Sequence, residues 1–75
     1  MTQKAIDALA AHAYVIAYYA HDDQEHAVKR IKELYDTVKK LYEFDVISSK
    51  KRDMIFNRLS DEVKKGLDDY KAKIA

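Results

Sequence analysis

Seventy-five residues with a net charge of +1 and 36% charged side chains make one small domain of mixed surface sign. That balance excludes the strongly basic or acidic classes that bind or mimic polyanions. No cysteine is present, so neither disulfides nor thiolate zinc sites can brace a chain whose core supplies only about 3–5 kcal/mol.

A single glycine, Gly66, and no proline leave almost nothing to close β-hairpins, while frequent alanine and lysine, with leucine and glutamate among them, favour helix. The N-terminus, Met1-Thr2-Gln3-Lys4, lacks a basic region followed by an apolar run and a cleavage site. No signal peptide is therefore expected, and a cytoplasmic location is.

The first helix is expected from Thr2, as its cap, to about Ala20. Ile6, Leu9, Ala13, Ile16 and Ala20 recur at spacings of three and four, which is one helical stripe. From Ala8 to Ala20, however, His12 is the only residue outside the apolar and aromatic set. That run is too short and too rich in tyrosine to cross a bilayer, which needs roughly 20 apolar residues.

A helix apolar all round is normally covered on several sides, and two neighbours cover about half of it. The uncovered half would show Tyr14, Tyr18 and Ala11 on one flank, or Val15, Tyr19 and Ala8 on the other. Tyrosine combines a large contact area with a polar tip and is enriched at interfaces. Tyr14, Tyr18, Ala11, Val15 and Tyr19 are thus the candidate partner-binding residues. Ala10, Ala13, Ala17 and Ala20 would let a helix of a second copy approach closely, so a homodimer or higher homo-oligomer is expected through this helix.

His21-Asp22-Asp23-Gln24-Glu25-His26 interrupts the pattern. Asp22 with Glu25 three residues on resembles a capping box opening the second helix. Pairs such as Asp22 with His26 have the four-residue spacing of metal ligands on a helix. A helix boundary between them and the lack of a second cluster point instead to a solvated capping turn, so neither a metal nor a cofactor is implied. His12, among apolar neighbours, reads as a boundary residue with a polar contact.

The second helix runs to about Phe44 on the stripe Ala27, Ile31, Leu34, Val38 and Leu41, with Val28, Tyr35 and Tyr42 widening it. Tyr35, Tyr42 and Tyr70 read as margin residues of the bundle. Asp45 suits the left-handed turn that ends a helix, Ile47 can pack back, and Ser48 or Ser49 caps the third helix.

The third stripe is Ile55 or Phe56, Leu59, Val63, Leu67, Tyr70 and Ile74. A break near Asn57 with a restart at Ser60 is the alternative, because Phe56-Asn57-Arg58-Leu59-Ser60 echoes Phe44-Asp45-Val46-Ile47-Ser48; the unbroken stripe favours one helix. The fold expected is an all-α, up-down-up antiparallel three-helix bundle forming one domain over residues 1–75.

Lys50, Lys51 and Arg52 place positive charge at a helix N-terminus, against its dipole. With Arg58 and Lys65 they form a basic strip, since 51, 58 and 65 are seven apart. Such a strip suits phosphates or an acidic protein, although Asp61, Glu62, Asp68 and Asp69 lie close by.

No nucleophile with a base at workable spacing and no phosphate-binding glycine loop is present, so no enzyme is expected. The first functional expectation is a non-catalytic protein-interaction module: an adaptor, regulator or inhibitor of a larger protein, of the kind that phages or mobile elements encode against host defences. The alternative is a nucleic-acid-binding accessory protein using the basic strip. No membrane partner is expected.

Overall fold

The computed structural model describes all residues, Met1–Ala75. Three helices make up nearly all of it: α1 (Gln3–Tyr18), α2 (Gln24–Glu43) and α3 (Ser49–Ile74), with a single 3-10 turn, Ala20–Asp22, between α1 and α2. α1 and α3 run parallel, since Asp7 meets Arg58, Tyr14 meets Asp69 and Tyr18 meets Tyr70 in rising order. α2 runs against both, as Tyr42 meets Arg52 and Tyr35 meets Ser60 in falling order. The result is the all-α, up-down-up three-helix bundle.

Local chemistry sets the helix ends. The Thr2 side chain accepts from the Ala5 N–H at 3.2 Å, and Ser48 accepts from the Lys51 N–H at 3.1 Å. These satisfy orphan donors of the first turns. At the start of α2 the cap is Asp23, which accepts from the His26 N–H at 3.0 Å, not the expected Asp22. The difference arises because α1 stops at Tyr18 and the chain takes one extra tight turn through Asp22.

α2 ends in a Schellman motif: the N–H of Val46 donates to Leu41 C=O and that of Asp45 to Tyr42 C=O, with Asp45 at φ 59°. Ile47 then folds back and is buried. α3 is continuous through Asn57–Ser60.

Packing is unequal along the bundle. The large fully buried side chains are Ile6, Val38, Ile55 and Leu59. All lie toward the α2–α3 turn, where Ile47 and the half-buried Leu9, Leu34, Leu41 and Phe56 surround them. Each contributes about 1.5–3 kcal/mol by leaving water. Toward the α1–α2 turn the buried residues are Ala10, Ala13, Ala17, Ala27 and Gly66. These small residues let α1 and α3 touch backbone to backbone. A Cβ on Gly66 would stand 2.5 Å from the Tyr14 carbonyl oxygen and 3.0 Å from the Ala17 Cβ.

The positive φ at Asp45 yields a stability test. A non-glycine residue in the left-handed region carries a steric cost that glycine does not. After the extra freedom glycine has when unfolded, Asp45→Gly should gain about 0.5–1 kcal/mol. Urea unfolding should show a higher midpoint; an unchanged or lower one would mean that the Asp45 side chain itself stabilises the turn.

Candidate docking surfaces

The first helix has the surplus of apolar circumference expected from its sequence, but turned differently. Its buried line is Ile6, Ala10, Ala13 and Ala17, facing α3, and Leu9 and Ile16 are only half-buried. The seam expected to receive a second copy is thus already occupied: Ala10, Ala13 and Ala17 are buried within the chain's own bundle, Ala17 against Gly66 of α3, and only Ala20 is left partly open. The line opposite α3 is exposed and comprises Ala8, Ala11, Val15 and Tyr19, the last two at 48% and 56%.

Tyr14 and Tyr18 do not share that exposure. Both are half-buried on the flank beside α3. The Tyr14 hydroxyl donates to Asp69 at 2.5 Å, and the Tyr18 ring meets Tyr70 edge-on at 5.9 Å. Tyr19 stands edge-on to Tyr18, and His21 stacks on Tyr70 with ring centroids 3.9 Å apart. Lys65 and Lys73 lie over the Tyr14 and Tyr18 rings at 6.0 and 5.6 Å. The flank is an aromatic brace between α1 and α3, sealed by cation–π contacts. Of the five candidate residues, Ala11 and Val15 are exposed, Tyr19 is exposed but stands against Tyr18, and Tyr14 and Tyr18 are engaged within the chain.

The other margin tyrosines are engaged too: Tyr35 with the Ser60 hydroxyl at 2.6 Å, and Tyr42 beneath the Arg52 guanidinium at 4.3 Å.

The basic strip lies along the junction of α3 with its neighbours and is partly neutralised there. Arg58 pairs with Asp7, and Arg52 pairs with Asp53 at 2.9 Å while covering Tyr42. Lys65 sits over Tyr14, and Lys51 is half-buried. Lys50 is exposed and, like Lys51, has no carboxylate partner. The hydrogen bond from Arg58 first, and that from Gln3 second, hold the Asp7 carboxyl below the ordinary carboxylate range.

The histidine–acid cluster is divided between two sides of the bundle. His12 contacts Arg30 at 3.1 Å and shares the α1–α2 groove, of about 270 Å3, with Asp22, Asp23 and His26. His21 turns away to Tyr70 and pairs with Asp22 at 3.0 Å. No three histidine, aspartate or glutamate side chains come together as metal ligands would. No helix is long and apolar enough to cross a membrane.

The largest concavity is one that sequence reasoning did not single out. Between α2 and α3, at the end where α1 turns into α2, a groove encloses about 520 Å3. Its floor is Ala17 and Ala20; its walls are Ala27, Val28 and Ile31 from α2 and Val63, Leu67, Tyr70 and Ile74 from α3. Its remaining lining residues, His21, Gln24 and Lys71, are polar. Val28, Leu67 and Ile74 are 63%, 41% and 65% exposed.

The groove exists because α1 offers only methyl groups at this level. The stripes of α2 and α3 converge there with nothing large between them. The readable signal is side-chain size: branched residues on two stripes facing alanines on the third. No protein-family model, curated protein or solved structure matches the chain.

The Tyr14–Asp69 bond sets a pH test. The bond to Asp69 first, then partial desolvation and the Asp69 charge, push the Tyr14 phenol up to about 12. Because the folded state holds this proton more tightly than the unfolded chain, whose tyrosine titrates at about 10, the bond's contribution is whole below pH ~10 and is lost from there through ~12. Absorbance titration should show an ionisation near pH 12 that Tyr14→Phe removes and Asp69→Asn moves down. A wild-type curve lacking that component would contradict the bond.

Proposed function

We propose that this chain is a non-catalytic interaction module that docks an apolar helical element of a protein in the groove between α2 and α3. Adaptors, regulators and inhibitors of larger proteins, including those carried by mobile elements, can all work in this way. The observation that carries the reading is the groove itself: an open apolar trough whose walls expose Val28, Leu67 and Ile74 to water. Scattered exposed apolar residues are ordinary in small proteins, but a contiguous concave set marks a docking surface.

Its shape suits a helix. Val63, Leu67, Tyr70 and Ile74 span twelve residues of α3, about 17 Å of rise, which matches three turns of a guest. Amphipathic helices bind such grooves by inserting anchors at spacings of three and four. The groove offers hydrophobic walls and few polar groups, which favours docking over chemistry. Filling it would also complete the half of the bundle that alanines leave thin, so binding and folding stability are coupled.

Photo-crosslinking in the cells that make the protein tests this reading. A photoreactive residue at Leu67 should give a protein adduct, whereas one at Glu33, on the exposed face of α2, should give none. An adduct from Val15 with none from Leu67 would move the docking surface to the outer face of α1 and overturn the groove.

A further inference from the structure

The chain exposes more surface than its mass requires. A compact monomer of 8.7 kDa shows about 4,700 Å2, and this chain shows 5371 Å2 in a rod of 43 × 21 × 16 Å. The surplus is roughly 600 Å2. Hidden on each of two copies, it gives an interface of about 1,200 Å2, which is the lower end of the standard size for a stable complex.

The α3 wall of the groove has the pattern of a helix seam. Phe56, Ser60, Val63, Leu67, Tyr70 and Ile74 follow spacings of four and three throughout, the repeat that packs one helix along another. Tyr35 of α2 covers the beginning of this seam, touching Phe56 and Ser60. Above it, Leu67 and Ile74 stay exposed.

Charge also fits one arrangement. Asp68 and Lys71 are exposed, three residues apart on α3, and neither has an ion-pair partner within the chain. When two α3 helices cross antiparallel about a twofold axis between these positions, each Asp68 faces the partner's Lys71. The same register brings Ile74 of each copy within one turn of the partner's Leu67, so two exposed apolar side chains cover each other in both halves of the contact.

From these observations, and resting on the groove as the docking surface, we propose that its occupant is a second copy of this chain, packed antiparallel across a twofold axis over α3 between Asp68 and Lys71. The contact is isologous and closes at two copies.

Sedimentation equilibrium over a micromolar-to-millimolar dilution series tests it, with circular dichroism checking that helix content is kept. Wild type should show twice the 8.7 kDa mass. Leu67→Asp/Ile74→Asp should show the single mass, because both side chains are exposed and the fold does not need them. Lys71→Asp should weaken association about tenfold by setting like charges opposite each other, and adding Asp68→Lys should restore it.

A wild type of single mass at the highest concentration would overturn the proposal, as would a Leu67→Asp/Ile74→Asp variant that keeps the double mass. The crosslink at Leu67 separates the two failures. An adduct of another mass removes only the second copy, and no adduct removes the groove reading as well.

Discussion

The close contact of α1 with α3 is the constraint from which the rest of this molecule follows. Ala17 and the backbone at Tyr14 and Tyr18 on one helix meet Gly66 on the other so tightly that the glycine has no room for a methyl group. Contact at this distance gains dispersion along two backbones but allows no large side chain into the seam. The apolar volume of the bundle is therefore displaced toward the α2–α3 turn, where Ile6, Val38, Ile55 and Leu59 interlock. At the other end the three helices converge on alanines, and a trough stays open between α2 and α3.

This asymmetry divides the surface into parts with different roles. The tyrosines beside the seam brace it: Tyr14 is tied to Asp69 and Tyr18 to Tyr70, with lysines over their outer faces. The positive charges that resemble a strip for phosphates partly serve helix junctions, Arg58 against Asp7 of α1 and Arg52 over Tyr42 of α2. What stays open and apolar is the trough, together with the narrower exposed outer line of Ala11, Val15 and Tyr19. A chain of this size with so few buried residues has little stability to spare, so a guest in the trough would supply core as well as contact.

Much of the fold is legible in the sequence because its signals are local. Thr2 and Ser48 as caps, Asp45 in the left-handed region, Ile47 folding back and the long stripe of α3 each follow from a few neighbouring residues. The start of α2 falls one residue later than expected because either Asp22 or Asp23 can cap, and the extra turn after Tyr18 decides between them. The facing of α1 departs from expectation for a different reason. A helix apolar nearly all round carries only a weak moment to orient it, so the partner's shape, the bare backbone at Gly66 against Ala17, helps select the Ala10–Ala13–Ala17 line. Pairs such as Arg58 with Asp7 join residues far apart in sequence and leave no local trace. The trough is hard to read from sequence because it is a deficit of volume, and hydrophobic pattern records only polarity.

Gly66→Ala measured by urea unfolding tests the seam most directly, because two effects of opposite sign compete there. Alanine in the middle of an exposed helix gains about 1 kcal/mol over glycine. Against the α1 backbone the added methyl should cost more than that, leaving a net loss of about 1–2 kcal/mol and a lower midpoint. An equal or higher midpoint would mean that α1 and α3 do not approach so closely, and the groove would then need an origin other than their contact.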